Sequence, residues 1–305
     1  MAVLDSFADF TRTHPLYGKA YAELSALNCK AALAAAVVHA VYPVALALVA
    51  EPLLGYLRQR YGRDLVPMYA SRLLVLEKLQ LRFDSSPGTD TIGDSSVRVD
   101  RDNYNVALLM SIVLSNHRFE IMQWLKLFLK GLQSRGRVAI LGTGTGYELK
   151  LVAEILSEWS IESYDIDPSS EREARDLLGY FDIGHSVQYG RELLLGRPDP
   201  GLRQRYHAIV ACEVLEHLRD PARALQSLRE YLVPGGRMFV TMAINIAQED
   251  HVFWYPDLKS CREQLHACGW KTCSEWIAPQ CTLPPSARRE GRFKRGNYVA
   301  EVARR

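Results

Sequence analysis

The chain has 305 residues, of which 48% are hydrophobic and 24% are charged, and its formal net charge is +2. This length predicts one large or two ordinary domains, and the near-neutral balance does not call for nucleic acid or an anionic membrane as a partner. The six cysteines are scattered and form no Cys-x-x-Cys pair, which argues against a zinc site and a disulfide framework. The first residues carry no basic segment followed by an apolar core. We therefore expect a cytoplasmic protein with reduced thiols and no bound metal.

Residues 1–83 are rich in alanine and leucine and are predicted to form helices. The helices should be broken near Pro15, Pro43, Pro52 and Gly62, because proline and glycine interrupt helical hydrogen bonding. We expect this all-helical region to act as a lid and as a dimerisation surface.

One segment of that region, Ala31–Ala50, is apolar over almost the length of a membrane span. It consists mostly of alanine and valine, contains His39, Tyr42 and Pro43, and is followed by an acidic residue. Buried helices of a bundle, or a dimer interface, explain it better than a transmembrane helix.

The second region begins with Asp84–Asn103, which is dense in Ser, Asp, Gly and Thr and is predicted to be a linker or an ordered loop. Tyr104–Leu132 follows as one or two long apolar helices. We assign 84–136 to this linker and to the helices that lead into the core, so that the second domain spans 84–305.

From Arg137 onward, short apolar strands alternate with amphipathic helices, which is typical of a doubly wound parallel sheet. The first four strands are predicted in RVAIL, SIESYDI, SVQY and YHAIVAC, and the fifth, GRMFVTMAI, follows a turn at Pro234-Gly235-Gly236. KTCSEWIAP and NYVAEVAR should form a closing antiparallel hairpin. The expected fold class is α/β, with a doubly wound, mostly parallel, seven-stranded sheet over 137–305.

The first strand leads into three glycines, Gly142, Gly144 and Gly146, and then into a helix-compatible segment. A strand, a glycine turn and a helix together favour a nucleotide at the helix N-terminus. A dinucleotide fingerprint requires a small residue where this chain has Tyr147, so the pattern is a different one. An ordinary tight turn from strand to helix remains the alternative interpretation.

An acid follows the second strand. Asp165 lies 21 residues after Gly144, where a nucleotide-binding α/β sheet needs a carboxylate to accept hydrogen bonds from ribose hydroxyls. The neighbouring Asp167-Pro168 is typical of a helix N-cap and first turn. Asp165 is itself open to interpretation as a helix cap, although its distance from the glycines argues against that.

The fourth strand leads into Glu213-Val214-Leu215-Glu216-His217, followed by a predicted helix and a Pro-Gly-Gly turn. In this order the motifs resemble those of class I S-adenosylmethionine (SAM) methyltransferases, especially the ubiquinone-biosynthesis methylases. The resemblance covers 137–305 and implies a Rossmann-like methyltransferase fold with SAM as cofactor. It implies the following cofactor-binding residues: Gly142, Thr143, Gly144, Gly146, Tyr147, Asp165, Ile166, Glu213 and Val214.

One position departs from the family pattern. The family has an acidic residue two positions before the first glycine, where this chain has Ile140. Because that acid contacts the methionine end of the cofactor, we expect Glu148 or a residue of Tyr104–Glu120 to take its place.

A polar cluster interrupts the apolar segment before the core. Asn116 and Glu120 are four residues apart, and His117 and Glu120 three apart, so a helix would place these three on one face. We assign His117 and Glu120 to catalysis, and Tyr104, Asn116 and Arg118 to substrate binding. A solvated break between two helices, or a capping cluster at Ser115-Asn116, is the open alternative.

The same segment also resembles one found in methyltransferases that modify aromatic amino acids during antibiotic biosynthesis. That resemblance implies a small aromatic substrate, with His117 or Glu120 near the accepting atom.

A second polar cluster, Asn245–Leu258, follows the fifth strand, where ligands bind in open α/β sheets. His251 beside Asp250 is assigned as a catalytic base, and Asn245 and Trp254 are assigned to the substrate. A loop histidine with its aromatic neighbours packed in the core is the alternative. The histidine of the Glu-Val-Leu-Glu-His motif is a weaker candidate for the base.

The sequence thus predicts a SAM-dependent methyltransferase that acts on a small, aromatic molecule by C- or O-methylation in specialised metabolism, as a homodimer without nucleic-acid or membrane partners. An RNA or protein methyltransferase, docking through the basic run Arg288–Gly296, is the first alternative. A catalytically inactive SAM-binding subunit is the second, and a solvated loop is the plain interpretation of the basic run.

Overall fold

The computed structural model describes residues 2–27, 30–62, 64–85, 100–184, 186–191, 200–280 and 294–305. In these ranges a set of N-terminal helices is followed by a seven-stranded sheet with helices on both faces. The basic run predicted as a docking patch lies outside the described residues up to 293.

The N-terminal region is helical, as predicted. Pro15 and Pro43 are at the first positions of their helices, where the N–H that proline lacks would have no partner within the helix. Gly62, at φ +93°, ends the fourth helix. The predicted break at Pro52 is wrong, because that helix continues through the proline. The helices are α1 (Ala2–Thr13), α2 (Pro15–Ala26), α3 (Lys30–Val41), α4 (Pro43–Tyr61) and α5 (Leu65–Ser85).

The apolar segment Ala31–Ala50 is divided at Tyr42 between α3 and α4. Among the described residues, no helix is both long enough and apolar enough to cross a membrane.

Two helices connect the N-terminal region to the sheet. They are α6 (Arg101–Leu114) and α7 (Asn116–Lys130), and Ser115 separates them in an extended conformation. Asp100 caps α6 by accepting hydrogen bonds from the N–H groups of the second and third residues of the helix. Of the predicted linker, 86–99 lies outside the described residues.

The sheet has the strand order β3-β2-β1-β4-β5-β7-β6, in which β7 runs antiparallel to the other six strands. The doubly wound, mostly parallel prediction and the closing antiparallel hairpin are confirmed. The strands are β1 (Arg137–Leu141), β2 (Ser160–Tyr164), β3 (Val187–Gly190), β4 (Tyr206–Ala211), β5 (Leu232–Ile244), β6 (Trp270–Pro279) and β7 (Gly296–Arg304), and the helices between them are α8 (Tyr147–Ile155), α9 (Pro168–Tyr180), α10 (Pro221–Tyr231) and α11 (Leu258–Ala267).

The turn predicted at Pro234-Gly235-Gly236 lies within β5 rather than before it. Gly235 has φ +78°, and the register between β4 and β5 shifts at this point. A glycine in the left-handed region allows the strand to bulge there without ending.

The strands separate two apolar clusters, one on each face of the sheet. On β1, Val138 and Ile140 belong to one cluster, and Ala139 and Leu141 to the other, as the alternation of side chains along a strand requires. The first cluster is continuous with residues of the N-terminal helices such as Leu57. The N-terminal region therefore shares one apolar core with this face of the sheet.

Candidate functional site

The glycine turn after β1 has a backbone that only glycine adopts easily. Gly142, Gly144 and Gly146 have φ values of +71°, +49° and +82°. A Cβ at Gly142 would lie 2.8 Å from Cγ2 of Val214, and one at Gly146 would lie 2.6 Å from Cα of Ala174. The turn is therefore pressed between β4 and α9, and Gly142 and Gly144 are left in the wall of a cavity.

The acid after β2 is tied to this turn. The N–H of Gly144 donates to Oδ2 of Asp165 at 2.8 Å, and the N–H of Asp167 donates to Oδ1 at 2.8 Å. An ionised carboxylate has about four acceptor sites, so Asp165 keeps capacity for two further donors. Ile166, with 71% of its surface exposed, lines the same cavity as an apolar surface next to this carboxylate.

The acid after β4 is held in a left-handed conformation, with φ +52° at Glu213. Oγ1 of Thr241 accepts a hydrogen bond from the N–H of Glu213 at 2.7 Å and donates one to Oε1 of Glu213 at 2.6 Å. Nδ2 of Asn297 also donates to Oε1, at 2.7 Å. Glu213 is thus fixed by β5 and β7, with Oε2 left toward the cavity and 3.9 Å from the guanidinium of Arg118.

Arg118 supplies the positive charge of this end of the cavity. It is buried on α7, and its Nη2 donates to Oε1 of Glu148 at 3.1 Å. Ile140 is buried in β1 and brings no polar atom to this place. The pair of Arg118 and Glu148 lines the cavity, and the expectation that Glu148 or a residue of 104–120 takes the place of the family's acid stays a prediction.

The cavity has a volume of about 1470 Å³, whereas ligand pockets typically measure about 300–1,000 Å³. It has room for a nucleotide cofactor and for a second molecule beside it. One side of the cavity is formed by α5 and α6, with the apolar side chains of Leu73, Leu76, Ala107 and Leu108. Arg72 and Arg101 also line this side, where Arg72 pairs with Glu249 and Arg101 with Asp167. Neither arginine was predicted, because no local pattern links a residue of these helices to a distant crevice.

The nine predicted cofactor-binding residues divide into two groups. Six line the cavity, namely Gly142, Gly144, Asp165, Ile166, Glu213 and Val214. Three others lie behind its wall, where they position the turn. Oγ1 of Thr143 shares a hydrogen bond with Oγ of Ser163 at 2.7 Å, Gly146 packs on α9, and the ring of Tyr147 is buried in the core.

The polar cluster at the start of α7 does not act as one face. His117 and Arg118 line the cavity, but Asn116 and Glu120 do not. Nδ2 of Asn116 donates to the carbonyl of Pro279 at 2.8 Å, and Glu120, four residues further on, lies on the same side of the helix, which packs against β6. The assignment of Glu120 to the site is not supported, and the solvated break is wrong because both side chains are buried.

Two other predicted residues of α6 and α7 do reach the cavity. The hydroxyl of Tyr104 donates to Oδ2 of Asp250 at 3.2 Å, and burial, with the Asp250 charge, raises the pKa of that phenol. Nδ1 of His117 shares a hydrogen bond of 2.7 Å with Oγ of Ser115. Burial, together with the charge of Arg118, lowers the pKa of His117 to about 3, so its imidazole is neutral at pH 7.

The loop after β5 is held by its own side chains. Oδ1 of Asn245 accepts from Nε1 of Trp254 at 2.9 Å, and Nδ2 of Asn245 donates to the carbonyl of Pro256 at 2.6 Å. The Trp254 ring packs edge-on against Phe83 of α5. Neither predicted substrate residue of this loop lines the cavity, because both are engaged in closing the loop.

His251 is buried beneath the cavity wall, with its ring centroid 5.0 Å from that of His217, which lines the wall. Glu216, from the same motif as His217, has no exposed surface. Burial raises the pKa of Glu216, assisted by the charge of Glu213, and burial, with His217, lowers that of His251 to about 3. Ligand atoms of Glu216, His217 and His251 lie within 4.8 Å of one another. This grouping was not predicted, because the three residues come from two loops and have no metal-ligand spacing along the chain.

Part of the predicted basic run is described. Nζ of Lys294 lies 2.9 Å from Oδ2 of Asp84, and Arg295 pairs with the same carboxylate. These two cations therefore bind the end of α5, and the remainder of the run lies outside the described residues.

Comparison with known proteins agrees with the topology and the motifs. A family model described as "Methyltransferase domain" matches residues 114–274, which is more than half of the chain. A ubiquinone biosynthesis O-methyltransferase of Xylella fastidiosa is 31% identical over 112 residues, which are 35% of this chain and 42% of the relative. The match thus spans less than half the length of that relative.

Solved structures with a similar fold are more distant in sequence. A geranyl diphosphate methyltransferase in complex with SAM is 13% identical, with a TM-score of 0.49, over 70% of this chain and 93% of the other. The N-methyltransferase NodS of Bradyrhizobium japonicum, in complex with S-adenosylhomocysteine, is 13% identical with a TM-score of 0.47, over 63% and 90% of the two chains.

The wall of the cavity fits the cofactor that this family uses. Gly142 and Gly144 leave the backbone of the turn open to the cavity, because they carry no side chain. Asp165 has free acceptor sites for ribose hydroxyls beside the apolar surface of Ile166, as binding of a nucleoside requires. The chain therefore belongs to the methyltransferase-domain family.

Proposed function

We propose that this enzyme methylates a small, aromatic molecule at carbon or oxygen in specialised metabolism. The observation that carries the proposal is the single cavity that joins the glycine turn and Asp165 to an apolar lid formed by α5 and α6. When bound, SAM supplies a methyl group that its sulfonium already activates. The residues of this chain have to hold, orient and enclose the two reactants.

At the cofactor end, Asp165 is positioned to accept from the ribose hydroxyls and Ile166 to pack against the base. Arg118 presents a guanidinium and Glu148 a carboxylate, and these charges complement the carboxylate and the ammonium group of the zwitterionic methionine end of the cofactor. The Thr241 and Asn297 hydrogen bonds keep Glu213 from rotating away from this end.

At the acceptor end, the apolar side chains of Leu73, Ala107 and Leu108 favour a flat hydrophobic molecule over a charged polymer. Tyr104 and His117 are two of the polar groups on this side. A general base works best with a pKa near the operating pH, so the low pKa of His117 favours a hydrogen-bonding role over proton abstraction. Glu120 and His251 would not contact the acceptor, since neither lines the cavity.

The test is calorimetric titration with SAM and S-adenosylhomocysteine, followed by incubation with SAM and a panel of phenols and aromatic amino acids. We expect one-site binding of both nucleotides and a mass increase of one methyl group in an aromatic acceptor. Methylation of RNA or protein substrates, with no aromatic small molecule accepted, would replace the small-molecule assignment while leaving the cofactor in place.

We also propose a homodimer that buries the outer face of α4. Val44 and Leu48, one turn apart, are each 73% exposed, an unusual exposure for two large apolar side chains on one helix face. Light scattering should give twice the mass of 34.5 kDa, and the double variant Val44→Glu/Leu48→Glu should be monomeric. A monomeric wild type would exclude this interface.

A cytoplasmic location is proposed on the basis of the cysteines. The four that lie in described parts of the chain, Cys212, Cys261, Cys268 and Cys273, are free thiols, as reducing compartments favour. Fractionation of the producing cells tests it, and recovery outside the cytoplasm would contradict it.

A further inference from the structure

Three side chains at the end of β4 and in the loop after β5 converge at one edge of the cavity. A carboxylate oxygen of Glu216 and a ring nitrogen from each of His217 and His251 lie within 4.8 Å of one another. Both backbone segments are fixed with respect to each other, because the carbonyl of Glu216 accepts from the N–H groups of Val252 and Phe253 at 2.8 and 2.9 Å. The grouping is therefore a rigid part of the fold.

The side chain of Glu216 is fully buried and has no hydrogen-bond donor among the other residues that the structure describes. Glu216 is 0% exposed, and neither Oε1 nor Oε2 accepts a hydrogen bond from any other described residue. Burying a carboxyl group without a partner is costly, and a buried carboxylate is normally paired with a cation or bound to a metal. An apolar residue of similar size would fill this position at lower cost if packing were its only role.

The two imidazoles have the hydrogen-bonding pattern that is typical of metal ligands. Nδ1 of His217 lies 3.0 Å from the carbonyl of Asp250, and Nδ1 of His251 lies 2.9 Å from the carbonyl of Ile246. A carbonyl oxygen only accepts, so each Nδ1 carries the hydrogen and each Nε2 carries the lone pair. Histidine ligands almost always donate their other N–H to a carbonyl or carboxylate in this way. Nε2 of His251 is buried without a hydrogen-bond partner among the described residues.

We propose that Glu216, His217 and His251 bind a divalent transition-metal cation, with Zn²⁺ as the cation of choice. Two histidines and one glutamate are the protein ligands of one class of catalytic zinc sites, which keep a further position open. Here Glu216 and His251 lie behind the wall, whereas His217 and Asp250 line the cavity. The open position of the cation therefore faces the acceptor.

This inference rests on the proposed function for its consequence, which is O-methylation of a hydroxyl group. A hydroxyl oxygen bound to the cation has a lowered pKa and releases its proton to water. That oxygen then forms a bond to the methyl carbon while the carbon–sulfur bond of the donor breaks, and the bonding electron pair remains on sulfur. No further oxidant, reductant or base is required for this balance.

The experiment uses chelator-treated, dialysed full-length protein titrated with Zn²⁺ by calorimetry, and with Co²⁺ followed by electronic absorption. We expect about one cation per chain, and Co²⁺ bands that report imidazole and carboxylate ligands. Glu216→Gln, His217→Ala and His251→Gln should each weaken Zn²⁺ binding by roughly tenfold or more, as even loss of an outer-shell partner lowers metal affinity about 10- to 100-fold. His266→Ala is the matched control, because His266 is an exposed histidine at the end of α11 and should leave the affinity unchanged.

SAM titrations of the same samples distinguish a failure of the metal site from a failure of the proposed function. Absence of Zn²⁺ binding, or equal binding in wild type and in the three ligand variants, would overturn the metal site while SAM binding stays intact. If Glu216→Gln or His251→Gln fails to fold, the partly exposed His217→Ala variant and the Co²⁺ spectrum of the wild type still decide. Loss of SAM binding in the wild type would instead contradict the proposed function.

Discussion

The N–H of Gly144 donates a hydrogen bond of 2.8 Å to Oδ2 of Asp165, and this bond joins the turn after β1 to the end of β2. It orients the carboxylate across the crevice at which the strand order reverses, between β1 and β4. One side chain therefore both stiffens the glycine turn and presents acceptors to a ligand.

Asp165→Ala should weaken the binding of SAM and S-adenosylhomocysteine by at least about tenfold. Hydrogen bonds to charged groups contribute roughly 1.5–3 kcal/mol each, and about 1.4 kcal/mol corresponds to a factor of ten in affinity. Calorimetric titration measures the change. Asp64→Asn, at an exposed position before α5, is the control and should bind as the wild type does. Equal affinity in Asp165→Ala and wild type would remove the ribose role from this residue.

Gly146→Ala should destabilise the fold and abolish cofactor binding. Gly146 has φ +82°, and an added Cβ would lie 2.6 Å from the backbone of Ala174 in α9, so strain and a steric clash act together. We expect a loss of roughly 1–3 kcal/mol in unfolding free energy, measured by urea denaturation.

Gly179→Ala provides the matched control for that substitution. Gly179 lies in α9, and an added Cβ would meet no atom within 4 Å. Alanine is a better helix former than glycine by roughly 0.5–1 kcal/mol, so this variant should be slightly more stable than wild type. Equal responses of the two glycines would show that the tight packing of the turn has no energetic importance.

The fold and the nucleotide end of the site were predictable because their signals are local in the chain. The glycine turn and Asp165 each follow a strand, and the carboxyl ends of parallel strands meet at one edge of a sheet. The error at Glu120 has a different origin. Spacing shows that Asn116 and Glu120 share a helix face, but the direction of that face depends on how α7 packs on β6.

The acceptor side was predictable only in part for the same reason. Arg72 enters the cavity from α5, far away in sequence, and no motif surrounds it. The convergence of His251 with Glu216 likewise depends on a backbone pairing between two loops. Contacts of this kind arise from tertiary packing and have no local pattern that would indicate them.

The neutral, half-buried imidazole of His117 predicts a pH dependence of stability. Its pKa is about 3 in the folded protein and about 6.5 in an unfolded chain, so above pH 6.5 both states are neutral and the residue has no effect. As the pH falls from about 6.5 toward about 3, the unfolded state binds a proton that the folded state does not, and stability is lost. His117→Gln should therefore lose less stability than wild type between pH 7 and pH 4.

Urea denaturation at several pH values measures that difference. His266→Gln, which replaces an exposed histidine at the end of α11, should follow the wild-type pH profile. Parallel profiles for wild type and His117→Gln would mean that the imidazole of His117 is solvated rather than buried.

The ion pair of Arg72 and Glu249 connects the lid helix α5 to the loop after β5, and both side chains are buried. Removing one partner leaves an unpaired buried charge, which typically destabilises a protein by about 3–5 kcal/mol, whereas replacing both by uncharged groups is often neutral. Glu249→Gln should therefore be strongly destabilising, and Arg72→Met/Glu249→Gln should recover most of the loss in urea denaturation. Glu263→Gln, in the exposed pair with Lys259, should change stability by less than about 1 kcal/mol. If the double variant is no more stable than Glu249→Gln alone, the pair does not couple the lid to the core, and the closure of the cavity must depend on the apolar contacts of α5 and α6.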